Sequence, residues 1–127
     1  ILGFRTRELI VLEDEFGKYC DDLIIATDDG SYGQKGFVTS ILGKETQKEP
    51  ADMVYFCGPS AMMRIGVSIL KEQNIPCEVS MEQRMGCGVG ACLVCACRTR
   101  NGNDWDYSRV CKDGPVFNGY DVLFDES

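Results

Sequence analysis

The chain has 127 residues, 44% hydrophobic and 26% charged, enough for one ordinary domain or one and a half small ones and too apolar for wholesale disorder. Its net charge of −7 argues against a basic patch that would hold nucleic acid. No stretch approaches the roughly 20 apolar residues that cross a bilayer, so no membrane partner is expected.

The chain opens on Ile1 rather than Met and reads as a piece of a longer protein. Ile1 to Phe4 reads as the end of a buried strand. Thr6 is a candidate N-cap, and Leu9, Leu12 and Phe16 give a helical stripe to about Tyr19. Asp22 to Thr27 is a nearly continuous apolar run, as in a parallel strand buried on both faces. Thr27 to Gly33 (TDDGSYG) is a polar, glycine-rich loop, and Gly36 to Gly43 a short helix candidate. Met53 to Cys57 is another buried strand, running into Gly58-Pro59-Ser60. A helix to about Gln73 follows, with Met62, Met63, Ile65, Ile69 and Leu70 on or near its apolar face. Pro59 suits its first turn, where the missing N–H costs nothing.

Cys77 to Met81 is a third full strand. Strand and helix thus alternate through residues 1–82, the pattern of a parallel doubly wound α/β sheet. The texture then changes. Residues 83–96 form a loop rich in glycine and cysteine. Residues 97–110 read as a hairpin around Asn101-Gly102, and Pro115 to Asp125 as an extended tail.

Eight cysteines and no histidine are present, and five of the cysteines crowd between Cys87 and Cys111. The spacing Cys87-x4-Cys92-x2-Cys95, with Cys111 further on, is that of plant-type 2Fe–2S clusters. Four thiolates must converge on two irons, and three come from one tight loop. Gly86, Gly88, Gly90 and Ala91 let that backbone wrap closely and turn its N–H groups toward sulfur. Rieske ligation and mixed cysteine–histidine zinc sites need histidine and are excluded. A four-cysteine zinc site and disulfides stay open, although such zinc sites more often use two Cys-x2-Cys pairs. Cys20 and Cys77 read as small hydrophobes, and Cys97 as a strand residue packed beside the cluster.

Cys57-Gly58-Pro59-Ser60 lies where a strand meets a helix N-terminus, where free N–H groups suit a pyrophosphate. The alternative is a purely structural turn. TDDGSYG ends the preceding strand on the same edge. No GxGxxG is present, nor a histidine or serine dyad for hydrolysis, so no catalytic residue is assigned.

Four segments together, ATDDGSYGQKGFV (Ala26 to Val38), FCGPSAM (Phe56 to Met62), SMEQRMGCGVGACLVC (Ser80 to Cys95) and RVCKDGPVF (Arg109 to Phe117), carry a resemblance across nearly the whole chain. The chain resembles the electron-transfer subunits of NAD-dependent, class 1B dihydroorotate dehydrogenase, in the ferredoxin–NADP reductase superfamily. Bifurcating NADPH–ferredoxin reductase subunits are similar in the first half. They typically show aspartate-glycine where this chain has Cys87, which favours the dihydroorotate branch.

The resemblance implies a truncated NAD-binding domain over 1–82, the nucleotide-binding half of a ferredoxin reductase-like module, and a 2Fe–2S domain over 83–127. It implies cluster ligands at Cys87, Cys92, Cys95 and Cys111. It implies nucleotide contacts at Thr27, Asp28, Asp29, Gly30, Ser31, Cys57, Gly58 and Pro59. The implied cofactors are the cluster, NAD, and FAD held mostly by a β-barrel that these residues do not include. The implied partner is an FMN-containing dihydroorotate dehydrogenase catalytic subunit, in a cytoplasmic heterotetramer of pyrimidine biosynthesis. This chain would relay electrons without oxidising dihydroorotate itself. A reductase subunit of the NAD(P)H–ferredoxin or sulfide dehydrogenase type, or a zinc-stabilised interaction module, remains the alternative. The family's first nucleotide-domain strand is also absent, so an open apolar edge beside Met53 is expected. A swapped strand, a partner chain or further residues would cover it.

Overall fold

The structure, a computed structural model, describes residues 1–124. The chain divides into two compact units, Ile1–Glu49 and the part from Pro50 onward.

The first unit is built on Ile25–Thr27 (β2), buried at all three positions. β2 is the middle strand of a parallel sheet between Leu2–Phe4 (β1) and Gln34–Lys35 (β3). An uninterrupted apolar run suits this place, because a middle parallel strand offers no wet face. β1 is only half-buried, in contrast to the buried strand expected there. The helix Val38–Lys48 (α2) buries Thr39, Ile41 and Thr46 and runs further than the predicted Gly36 to Gly43. Its first residue presses on β1: a Cβ added at Gly3 would sit 2.2 Å from Val38 Cγ1.

The continuous helix expected from Thr6 to Tyr19 does not form. A 3₁₀ turn at Arg7–Leu9 and a five-residue helix at Glu13–Gly17 (α1) replace it, separated by Leu12 in the left-handed region at φ 59°. Thr6 makes no capping bond. Leu9, Leu12 and Phe16 stay exposed. Their spacing is helical, but no surface buries it, and short helices depend on such burial.

In the second unit, Val54–Cys57 (β4) and Cys77–Ser80 (β5) pair in parallel, joined by the helix Ser60–Gln73 (α3). The buried face of α3 is Met63, Gly66, Val67 and Leu70, an i, i+3, i+4, i+7 row. Ile65, expected near that face, points to solvent. Gly66 admits the Phe56 ring: a Cβ there would lie 2.4 Å from Phe56 Cε1. Asn74, left-handed at φ 55°, ends the helix.

The alternation of strand and helix gives way as expected after β5. Residues 82–95 form the glycine- and cysteine-rich loop. Ala96–Asn101 (β6) and Asp104–Arg109 (β7) form the hairpin. Asn101 pairs with Asp104, so the two-residue turn is Gly102-Asn103 rather than Asn101-Gly102, with Gly102 at φ 61°. A single helical turn, Val110–Asp113 (α4), follows at once.

The expected tail is more ordered than an extended strip. Val116–Asn118 (β8) adds an antiparallel strand to β5, with Phe117 opposite Val79. The chain then returns to the hairpin, where Arg100 N–H bonds Asp121 O and Leu123 N–H bonds Arg98 O. Asp125, the end of that predicted tail, lies outside the described residues. No helix among the described residues is long and apolar enough to cross a membrane.

Candidate metal centre and nucleotide loops

Three predicted ligands, Cys87, Cys92 and Cys95, lie on the loop after β5 and the fourth, Cys111, on α4; their sulfurs approach one another as two pairs. Cys87 and Cys92 form one: the Cys92 thiol bonds Cys87 Sγ, and Cys87 N–H lies 3.4 Å from Cys92 Sγ. Cys95 and Cys111 form the other, with the Cys111 thiol and backbone N–H both directed at Cys95 Sγ. Among the described residues no three metal-ligating side chains gather at one point. The arrangement is two by two.

Backbone N–H groups aim at these sulfurs as the glycine content predicts. Val89 and Ala91 donate to Cys87 Sγ at 3.4 Å and 3.3 Å. Gly90 N–H donates to Cys111 Sγ. Gly88 and Gly90, at φ 70° and 81°, supply the left-handed turns that expose these donors. Donation from the Val89 amide first, then from Cys92 and Ala91, pulls the Cys87 thiol down to about 6. Backbone and thiol donation from Cys111 also lowers Cys95. The thiol bond to Cys95 pushes Cys111 the other way, up, so one sulfur of that pair is favoured as thiolate and the other as thiol. Thiolate donors suit a soft, positively charged metal centre.

Gly86 packs tightly in the same loop, where a Cβ would meet Cys92 Sγ at 2.8 Å. α4 brings Cys111 back beside the loop, and Val110 N–H bonds Cys95 O. Cys97 stands apart from the quartet: it is a buried β6 residue opposite Ser108, and burial pushes its thiol up. Cys77 is buried at the start of β5 and likewise raised. Cys20, read as a small hydrophobe, is exposed and bonds Phe16 O.

The TDDGSYG loop of the first unit is held from within. Thr27, fully buried, donates its hydroxyl to Tyr32 O and accepts from Tyr32 N–H. Asp29 accepts from both the N–H and the hydroxyl of Ser31, and Ser31 Oγ accepts from Arg7 N–H. Asp28 N–H bonds Phe4 O at the end of β1. Gly30 turns at φ 76°. In the second unit, Cys57 ends β4 exposed, Gly58 takes φ 154°, and Pro59 caps α3. Beside them opens a cleft of about 540 Å³, lined by Gly58, Pro59, Ser60, Glu82, Gln83 and Arg84.

Glu82, Gln83 and Arg84 of that cleft fall in the segment SMEQRMGCGVGACLVC but have no role assigned from the sequence. The same holds for Arg109 and Asp113 of RVCKDGPVF, which flank Cys111 and form an ion pair at 3.0 Å. Their four-residue spacing around Cys111 was the available signal.

Residues 82–123 match the family model of the iron–sulfur cluster binding domain of dihydroorotate dehydrogenase B. Over 122 residues, 96% of this chain and 46% of that protein, the sequence is 48% identical to the electron transfer subunit of dihydroorotate dehydrogenase B (NAD(+)) from Clostridium perfringens. The same subunit from Caldanaerobacter subterraneus subsp. tengcongensis is 42% identical over 97% of this chain and 48% of that protein. The solved structure of an NADH-dependent reduced ferredoxin–NADP oxidoreductase, a flavin-based bifurcating enzyme, superposes with a TM-score of 0.79 at 32% identity. It covers 97% of this chain and 43% of that one. The chain therefore spans about half the length of the curated relatives it matches. Over that span the chain is similar to the dihydroorotate dehydrogenase B electron transfer subunits, carries a match to their iron–sulfur cluster binding domain, and has the α/β fold of the ferredoxin–NADP oxidoreductase.

Proposed function

We propose that Cys87, Cys92, Cys95 and Cys111 hold a 2Fe–2S cluster, Cys87 and Cys92 on one iron and Cys95 and Cys111 on the other. The observation that carries this reading is the geometry of the loop: Cys87 N–H meets Cys92 Sγ, Val89 and Ala91 N–H groups converge on Cys87 Sγ, and the bond from Val110 N–H to Cys95 O brings the Cys111 turn beside Cys95. A dinuclear cluster takes two protein thiolates per iron, whereas one zinc ion takes four around a single point. The match of residues 82–123 to an iron–sulfur binding domain supports it independently.

The chain then serves as the electron-transfer part of an NAD-linked dihydroorotate dehydrogenase of pyrimidine biosynthesis. In that assembly dihydroorotate would give up two electrons and two protons at the FMN of a catalytic partner subunit, and NAD+ would take two electrons and one proton as hydride, with one proton released. A cluster held by the four cysteines would supply single-electron transfer, and FAD the conversion between one- and two-electron steps. Nucleotide contacts are assigned, unit by unit, to Thr27, Asp28, Asp29, Gly30 and Ser31 of the first unit and to Cys57, Gly58 and Pro59 of the second. Cys57, exposed at the end of β4, would face the nicotinamide, and the N–H groups at the start of α3 would meet the pyrophosphate. FAD is assigned chiefly to the part of the relatives this chain does not span. Residues 1–82 are read as the nucleotide-binding part and 83–127 as the cluster part. Cytoplasmic residence, where thiols stay reduced, fits so many free cysteines.

A ferredoxin-linked reductase subunit is the second reading, favoured by the superposition on the bifurcating oxidoreductase. Cys87 and the higher identity to the dihydroorotate subunits favour the first.

The test is serine replacement in the complete protein assembled with its catalytic partner. Cys87→Ser, Cys92→Ser, Cys95→Ser and Cys111→Ser each lose the visible iron–sulfur absorption and dihydroorotate-dependent NAD reduction. Cys97→Ser keeps both. Equal loss in Cys97→Ser would refute the ligand set. Full NAD reduction in all five variants would refute the relay.

A further inference from the structure

Arg109 ends β7, two residues before Cys111. Its backbone N–H and Nε both donate to Asp113 Oδ2, at 2.8 Å and 3.0 Å, and Nη2 donates to Asp113 Oδ1 at 3.2 Å. Both carboxylate oxygens are thus engaged, the fork geometry only arginine offers. The remaining arm leaves the ion pair: Nη1 donates to Gly90 O at 3.3 Å, in the cysteine loop.

That carbonyl belongs to the Gly90–Ala91 peptide. The other end of the same peptide is Ala91 N–H, which donates to Cys87 Sγ at 3.3 Å. A cation on the carbonyl oxygen polarises the amide and strengthens its N–H as a donor. Gly90 holds this peptide in the left-handed region, at φ 81°, which favours glycine, and the Lys112 side chain of α4 lies against it. An ordinary exposed ion pair is worth little and ends in solvent. This one ends on a ligand sulfur.

We propose that Arg109 is a positioning residue for the cluster: held by Asp113, it fixes and polarises the Gly90–Ala91 peptide on Cys87 and so raises the potential at which the centre accepts an electron. The proposal rests on the cluster reading above. An added electron increases negative charge on the thiolates, so each N–H donor stabilises the reduced form more than the oxidised one. Loss of the arm lowers the potential. Lysine keeps the charge but cannot hold two carboxylate oxygens and a carbonyl at once.

The experiment compares the complete wild-type protein with Arg109→Gln and Arg109→Lys. Midpoint potentials are measured by redox titration followed by electron paramagnetic resonance, with iron and sulfide content as the loading check. Both variants are expected to lose about tenfold in the electron-acceptance constant, about 59 mV for one electron. Wild-type potentials in both would overturn the proposal. A fall in Arg109→Gln alone would show that charge suffices, and would equally overturn positioning.

A second readout does not need the cluster. In cluster-free protein, the Ala91 amide exchanges faster in both variants than in wild type. Unchanged exchange would contradict the clamp. Wild-type protein that holds no iron or sulfide would bring down the cluster reading instead, and the amide measurement would still decide the clamp.

Discussion

Asp29 shows how far a single side chain of the TDDGSYG loop is already committed. Hydrogen bonds from the Ser31 hydroxyl, then from its amide, hold the Asp29 carboxyl below its ordinary 3.8. A carboxyl lowered on folding contributes stability above its unfolded value and loses it as pH falls through the lowered one. The loop is therefore expected to keep its shape at neutral and mildly acidic pH and to loosen only in strong acid. Carbon-detected NMR titration should place the Asp29 midpoint below 3.8, and Ser31→Ala should move it back up. A midpoint unaltered by Ser31→Ala would show that the serine is not what holds it. At this scale the glycine- and cysteine-rich loop was the most legible feature, because the spacing that turns Val89 and Ala91 N–H toward Cys87 Sγ is written directly in the chain. Arg109 left only its four-residue spacing from Asp113, since its other partner, Gly90 O, is a peptide oxygen that leaves no mark in a sequence.

Among the elements, α3 was read nearly end to end, because Pro59 opens an apolar row with somewhere to go; the structure adds Asn74 as its left-handed stop. Its face was misplaced at Ile65, since the row pivots on Gly66, where the Phe56 ring packs and no side chain advertises the contact. Gly66→Ala tests that contact. Alanine is favoured over glycine in a helix by about 1 kcal/mol. A Cβ at 2.4 Å from the ring must displace it, at about 1–3 kcal/mol. Net destabilisation of up to about 2 kcal/mol is expected from chemical denaturation. In a Phe56→Leu background the same change should lose that penalty. Stabilisation by Gly66→Ala in the wild-type background would show that the ring yields freely. The region from Thr6 to Tyr19 failed as a prediction for the opposite reason. Helical spacing is a statement about a face, and no surface buries that face.

For the whole molecule, the α/β class and the late change of texture could be read from the order of apolar runs, glycines and cysteines. The strand paired to β5 from the tail could not, because β8 is a three-residue strand whose place depends on a partner far away in the chain. Both units carry parallel strands, and the second adds the cysteine loop, hairpin and return turn. What that loop encloses decides the molecule's role. The most direct measurement is iron and acid-labile sulfide on anaerobically purified or reconstituted complete protein, with electron paramagnetic resonance after one-electron reduction. About two irons and two sulfides per chain, and a signal of about one spin, are expected of a 2Fe–2S centre. Folded protein that takes up zinc alone, or stays colourless and silent after reconstitution, would contradict it.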